Sequence, residues 1–595
     1  MTSLLRRLAV ILAVAFRADA RLSAIAVALS VAGSIAGPLT AVWLKVLVDA
    51  ARTGQQSTAL SAAVALSCSW VVSIAAVHAS SHVSYALEVR VIRHLMTELM
   101  RVSGRVPTIE MHERPDVADR VELLRRESKP FAFAMTSIVW TVGILTRLTA
   151  TIVVLVGVHP ALAVLPLLGI PSLAAGGWAQ KRRQQAQEET VEAKRLSDHL
   201  LELGTTPEPG KEIRIFGLAA EITGRHARLR RNIQQRERQA EVHGVVAETL
   251  GWLAFAAGYV AAIVLVTLLA VDGRATVGDV LLVIALSSQI QGQLGSAVAL
   301  IGQFLHTLRA ADHYLWLRDY ADGAAAVQPA GGTVPDQITE GIRFEGVSFR
   351  YPGTDLDVLH DIDLTIPAGA AMAIVGVNGA GKTTLAKLLA GFYQPTRGRI
   401  TIDGTDLRDL DPARWRRSLS ACFQDFVHFQ YTARESVGLG DLPRIHDEPS
   451  IRDAVQRAGA ADVTAALPDG LATLLGTEYG DGIELSAGQW QKIALGRAMM
   501  RSDPLLLILD EPTASLDAYT EHALFDRYAR APRPRRPQPG TTTILISHRF
   551  STVQLADLVV VLDGGRVAQT GTHQQLAQTH GPYRELYQLQ SRAYK

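Results

Sequence analysis

Cysteine is nearly absent: the 595-residue chain holds two, Cys68 in an apolar run and Cys422 in a strand-like segment. Two scattered thiols build neither a disulfide framework nor a metal site, and they suit a domain facing reducing cytosol. A surplus of one charge is also missing. Lys and Arg number 59 against 57 Asp and Glu, a formal net charge of +2, so nothing marks nucleic acid as a partner. Uniformity is lacking as well. Residues 22 to 306 carry several long apolar runs, whereas residues 340 to 595 read as an ordinary soluble α/β domain. A chain of this length holds more than one domain.

The segment Leu4 to Phe16 is apolar but short, Arg17 and Arg21 follow at once, and a long apolar run comes next. It reads as an amphipathic helix over 3–17 lying at the cytoplasmic surface, in preference to a cleaved signal. A bilayer core takes about 20 apolar residues per helix. Six stretches qualify: 22–48, 59–83, 131–157, 161–179, 247–271 and 279–306. The connections alternate. Those near 50–58, 158–160 and 272–278 are short and hold only Arg52 and Arg274, while 84–130 and 180–246 are long and rich in Lys and Arg. The positive-inside rule then puts the long segments and both termini in the cytoplasm. Both long segments read as helix, and stretches of about 25 residues would project roughly 35 Å past the bilayer. Gly104 and Pro107 punctuate the first, and Pro207, Pro209 and Gly210 the second.

After a polar linker over 321–339, an apolar strand, Ala371 to Val375, runs into Gly376-Val-Asn-Gly-Ala-Gly-Lys-Thr383 and then a helical pattern. Strand, GxxxxGK[ST] and helix in that order make a P-loop. Its phosphate-cradling residues are Gly376, Asn378, Gly379, Ala380, Gly381, Lys382, Thr383 and Thr384. Gly379 and Gly381 let backbone N–H groups wrap phosphate with no Cβ in the way, and the helix N-terminus adds partial positive charge. Lys382 suits the β and γ phosphates and the Thr383 hydroxyl suits Mg²⁺. A second strand, Leu505 to Glu511, ends in two carboxylates. Asp510 suits the Mg²⁺ shell, and Glu511 suits general-base work on an attacking water.

With these motifs the chain resembles the ATP-binding-cassette transporters. Leu485-Ser-Ala-Gly-Gln489, 26 residues before Glu511, is similar to that family's signature motif, with Ser486, Gly488 and Gln489 intact. Gln424 resembles the Q-loop glutamine, Ser515-Leu516-Asp517 the D-loop, and His548 the switch histidine. Tyr351 resembles the aromatic that stacks on adenine, and Lys211 to Gly217 the second coupling segment. The order of six spans followed by a cassette is that of half-size exporters. The fold this implies is an all-α six-helix transmembrane domain over 1–320, followed by an α/β P-loop nucleotide-binding domain over 340–595. The resemblance implies ATP as nucleotide, Mg²⁺ held by Thr383, Gln424 and Asp510, and catalysis by Glu511 and His548. It also implies a dimer, since ATP lies between the P-loop of one cassette and the signature of the other. The partner is a second copy or a related half-transporter, in the cell membrane. Export by alternating access is the expected activity; import, or an ATP-gated channel or sensor, are the alternatives.

Three departures stand out. Ala487 occupies the signature's usual glycine position, residues 531–540 look inserted, and Gln569 stands where the family has an acidic residue. No motif names the transported substrate. Polar stripes His78, His82, Tyr85 and Gln289, Gln293, Ser296 are expected to face the bundle interior or a cavity, with helix–helix hydrogen bonding as the alternative. Arg147, deep within the third span, is expected to face the bundle interior, a water-filled cavity or an acidic partner; it reads as a contact for a substrate with an anionic or carbonyl-rich group, or else as a structural arginine on helix carbonyls.

Overall fold

The computed structural model describes residues 2–106, 108–126, 128–207, 209–326, 331–478, 480–512 and 540–593. The D-loop Ser515-Leu516-Asp517, Pro107 and all of the inserted stretch but Gly540 lie outside them. The chain divides into two units: Met1–Arg101 with Arg120–Arg318, and Val102–Asp119 with Asp319–Lys595.

The first unit is built mainly from long helices, the last residues of α2 and α10 running into the second unit: α1 (Thr2–Arg52), α2 (Gln56–Arg105), α5 (Ser128–Val158), α6 (Ile170–Glu189), α7 (Val191–Thr205), the short α8 (Gly210–Ile215), α9 (Ala219–Val271) and α10 (Val277–Ala326). Six of its helical segments are long and apolar enough to cross a membrane. They leave many large apolar side chains outward, among them Leu60, Val71, Val153 and Leu268, as lipid-facing helices do. At Asp19 the backbone leaves helical geometry, and its Oδ1 accepts from Leu22 N at 2.9 Å, so the N-terminal stretch is a separate helix from the span that follows. The fourth span opens differently from the even helix expected over 161–179. Pro160–Val164 and Leu167–Gly169 are 3₁₀ turns, and regular helix starts at Ile170. Pro160, Pro166 and Pro171 cluster there, and each removes a backbone donor.

Glycines set one helix contact in this unit. Gly244, Gly251 and Gly258 recur every seventh residue along α9. A Cβ on Gly251 would stand 2.8 Å from Ser172 Cα, and one on Gly244 3.1 Å from the Ala179 Cβ. The backbones of α6 and α9 meet because nothing protrudes between them.

The polar stripes part ways. Gln289 is half-buried and Gln293 buried, but His78, His82, Tyr85 and Ser296 are exposed in the single chain. The stripe on α2 is therefore exposed in the single chain, outside its helix-packed interior. Periodicity tells which residues share a face but not which neighbour that face meets.

The second unit includes the short helix α3 (Glu110–Glu113) and two sheets. A four-stranded sheet runs β2 (Asp357–Pro367), β1 (Gly341–Arg350), β4 (Arg397–Ile402), β5 (Thr405–Asp406). The larger sheet runs β10 (Arg566–Gly571), β9 (Leu558–Asp563), β3 (Ala371–Gly376), β8 (Thr542–Ile546), β7 (Leu506–Asp510), β6 (Leu419–Cys422). All its pairs are parallel except β9 with β10. Parallel strands bury both faces, and alternate residues show it. Met372, Ile374, Ile508, Ile544 and Val560 enter one core, with α11 (Lys382–Leu389). Ala373, Val375, Leu509, Leu545 and Val561 enter the other, with the helix Ala487–Ala498. The carboxyl ends of β3, β7 and β8 thus lie side by side, where open parallel sheets bind ligands.

Candidate nucleotide site

The P-loop leaves β3 at Gly376, where a Cβ would stand 2.3 Å from Leu562 O. Gly381 caps α11 at φ +96°, and a Cβ there would meet the Leu359 side chain at 2.5 Å. Glycine is required at both places. Lys382 is buried and folds back over the loop, its Nζ donating to Gly376 O at 2.9 Å and Val377 O at 3.1 Å. Burial holds its pKa below the usual lysine range, against the pull of Glu511 and Asp510.

The carboxylates at the end of β7 differ in surroundings. Asp510 is 1% exposed; its Oδ2 accepts from Thr383 Oγ1 at 2.8 Å, and its buried Oδ1 has no hydrogen-bond partner among the described residues. Burial pushes its carboxyl above the usual range, only partly offset by the Thr383 bond. Glu511 stands at φ +47°, in the left-handed region that a non-glycine residue enters only under constraint. Its N–H bonds Ile546 O at 2.9 Å, which ties the turn to β8. Its carboxylate accepts from Gln424 Nε2 at 3.1 Å and faces His548 Nδ1 at 3.4 Å. Three motifs spread over the sequence therefore converge on one carboxylate.

The sequence pattern missed Gln491, whose Nε2 donates to Glu511 O at 3.0 Å. Its only signal was its place two residues after the signature, on the helix Ala487–Ala498. Trp490 beside it is buried and stacks on His428 with ring centroids 4.5 Å apart, which ties that helix to the segment after Gln424.

Ser486 caps the helix Ala487–Ala498 in a reciprocal box with Gln489. Ser486 Oγ accepts from Gln489 N at 3.3 Å and Gln489 Oε1 from Ser486 N at 2.8 Å. Among the described residues, no hydrogen bond joins this motif to the P-loop of its own chain. Ala487 is exposed in the first helical turn with ordinary right-handed geometry, so its own backbone conformation does not call for glycine. Gln569 serves locally, its Oε1 accepting from Tyr583 N at 3.0 Å.

Tyr351 packs edge-on to Phe349 and Tyr393, at 4.9 and 5.4 Å, and its hydroxyl lies 3.0 Å from Thr384 Oγ1. Its neighbours lead to α3. Glu113 accepts from Lys387 Nζ at 2.5 Å and from the Tyr393 hydroxyl. Cys422 is inert here, burial having pushed its thiol up to about 12.

Two family models match, the ABC transporter over residues 359–514 and the ABC transporter transmembrane region over residues 23–294. Curated relatives include a putative multidrug export ATP-binding/permease protein of Bacillus subtilis, 36% identical over 256 residues, covering 43% of this chain and 42% of that one. An ATP-dependent lipid A-core flippase of Thiobacillus denitrificans is 39% identical over 265 residues, covering 44% of each. A mitochondrial potassium channel ATP-binding subunit of Rattus norvegicus is 36% identical over 319 residues, covering 53% of this chain and 42% of that one. The chain thus spans less than half the length of these three relatives. A structure of a bacterial Atm1-family ABC exporter with ATP bound shares the fold at TM-score 0.76 and 23% identity, covering 98% of this chain and 99% of that one.

Proposed function

The chain belongs to the ABC transporter family, its halves matched by that family's membrane and ATPase models, and on that premise we propose that it is an ATP-driven exporter working as a dimer in the cell membrane. The convergence of Gln424 and His548 on Glu511, beside the Thr383–Asp510 pair, carries the reading. A water held by Glu511 attacks the γ-phosphorus of ATP, the bond from that phosphorus to the β–γ bridging oxygen breaks, and Glu511 takes the water's proton. ADP and phosphate leave. Lys382 and the P-loop N–H groups hold the phosphates, and Tyr351 stacks on adenine.

The donor set suits Mg²⁺. Asp510 Oδ1 is buried without a partner among the described residues, Asp510 Oδ2 accepts from the Thr383 hydroxyl, and Gln424 is a further oxygen ligand. Bound there, the ion neutralises phosphate charge. Ser486, Gly488 and Gln489 sit at a helix N-terminus whose bonds are local. They serve the ATP held on the P-loop of a second chain, a copy of this one or a related half-transporter. The ATPase unit and both termini are cytoplasmic, because Lys and Arg crowd the long connections.

The names of two relatives, a putative multidrug export protein and a lipid A-core flippase, favour export of a drug-like or lipid compound. The potassium-channel relative favours a second reading, nucleotide-gated flux without pumping. Inside-out vesicles holding the purified chain separate the two. Accumulation of a fluorescent lipid or dye with ATP, and none with a non-hydrolysable analogue or after Glu511→Gln, is expected. Glu511→Gln should still bind ATP. Flux that persists without hydrolysis would replace the pump with the gated reading.

A further inference from the structure

At mid-depth in the first unit three helices bring together polar groups that the ATPase chemistry does not use. Arg147 lies eleven residues before the end of α5 at Val158, Gly37 fifteen before the end of α1 at Arg52, and Gln289 twelve after the start of α10 at Val277. At about 1.5 Å per residue all three stand roughly 16–23 Å from the short-loop ends. A Cβ on Gly37 would lie 3.6 Å from Arg147 Nε and 3.8 Å from Gln289 Oε1. The guanidinium and the amide thus approach the same point of α1.

These groups are not satisfied by one another. Arg147 Nε and Gln289 Oε1 are buried without a hydrogen-bond partner among the described residues. One turn along α10, Gln293 is 5% exposed, and both its amide atoms also lack partners. The nearby carbonyl that could serve the arginine is engaged, since Gly37 O accepts from Thr40 Oγ1 at 2.6 Å and from Gln289 Nε2 at 3.3 Å. A purely structural arginine spends its donors on helix carbonyls, and a buried polar group left unpaired is costly. Three such side chains on two helices make a built site, not a stray defect.

We propose that Arg147, Gln289 and Gln293 form the seat for an anionic oxygen, carboxylate or phosphate, on an amphiphile, and that this group is carried by the transported compound. The guanidinium takes the anion, the Gln293 amide adds a donor, and Gln289 Oε1 takes an O–H or N–H beside it. This deepens the exporter reading and rests on it for the word transported; the seat itself does not.

The test uses the full chain in phosphatidylcholine nanodiscs, with dodecyl phosphate and dodecanoate as probes and dodecanol as the neutral match. Binding is read by thermal shift and hydrolysis by phosphate release. Both anions should bind at least about tenfold more tightly than dodecanol, the size expected of one charge-assisted contact. Arg147→Met should erase that preference, Arg147→Lys should retain part of it, and Gln293→Leu should weaken anion binding several-fold. If Arg147→Met fails to fold, the wild-type preference and Gln293→Leu decide. Equal binding of dodecyl phosphate and dodecanol by the wild type overturns the seat, as does unchanged selectivity in Arg147→Met or unchanged affinity in Gln293→Leu. Competition in phosphatidylglycerol discs marks a bilayer headgroup as occupant, and its lack a soluble amphiphile. Each supports the seat. A wild type that binds the anion but moves none with ATP would sink the pump and leave the seat standing.

Discussion

Asp510 and Glu511 are adjacent, yet their surroundings assign them different work. Asp510 is sealed at the end of β7 with one oxygen on Thr383, and burial makes its charged form expensive. Its folded pKa lies above the unfolded one, so its contribution to stability is present below the ordinary carboxylate range. That contribution is lost as pH rises through the raised value, and above it the penalty is complete. Mg²⁺, if held there as proposed, would relieve it. At a pH above the raised value, Asp510→Asn should therefore leave the nucleotide-free protein as stable as the wild type or more so, read as melting temperature. The same variant should lose the Mg²⁺-dependent part of the stabilisation by ATP. A destabilised variant that keeps the Mg²⁺ effect would contradict the assignment. Glu511 differs in being held by its backbone. Its left-handed φ and its N–H bond to Ile546 fix the carboxylate where Gln424 and His548 reach it. Neither the conformation nor the partners were legible in the sequence, where Asp-Glu at a strand end showed only that two carboxylates were near a P-loop. Backbone strain of this kind arises from tertiary constraint and leaves no trace in residue type.

Among elements, the seam of α9 on α6 rests on what glycine omits. Glycine inside a helix ordinarily costs about 1 kcal/mol relative to alanine. Gly157 on α5 has open space around the Cβ position, so Gly157→Ala should be neutral or stabilising. Gly251→Ala should do the reverse, because the new carbon meets Ser172 backbone at 2.8 Å and Pro171 O at 3.0 Å. Backbone cannot move aside as a side-chain tip can, and overpacking of this kind costs about 1–3 kcal/mol. Melting of the two variants in detergent checks the contrast; equal behaviour would mean that the seam is not close-packed. Helix α3 shows a different limit of sequence reading. Residues 102–119 lie between apolar helices in the chain, within a long charged segment expected to project from the bilayer into the cytoplasm, but which residues they would meet there was not legible. In the structure they pack with the second unit, where Glu113 holds Lys387 and Tyr393. Nothing local to Glu110–Glu113 encodes that choice, since the partners are supplied by residues far along the chain.

For the whole molecule, the signature and P-loop of one chain are proposed to belong to different nucleotide sites. Cysteines at Ser486→Cys and Val377→Cys, both exposed positions, test this in a Cys68→Ser background, since native Cys422 is buried. Crosslinks should join two chains, and ATP in the presence of Glu511→Gln should increase them. Products confined to single chains would refute the shared site. The sequence by itself determined the two-part plan, the six spans, and the strand, P-loop and helix in order. Those features are written in neighbouring residues: apolar length, period-two burial and glycine spacing act over a few turns at most. Tertiary structure decided the rest. Thr383 finds Asp510 127 residues away, Gln424 finds Glu511 at 87, and Gln289 finds Gly37 at 252. It also left the histidine stripe of α2 exposed in the single chain while burying Gln293 on α10. A helical period names a face, but only the packing of distant segments decides what that face meets, and which polar atoms are left without a partner.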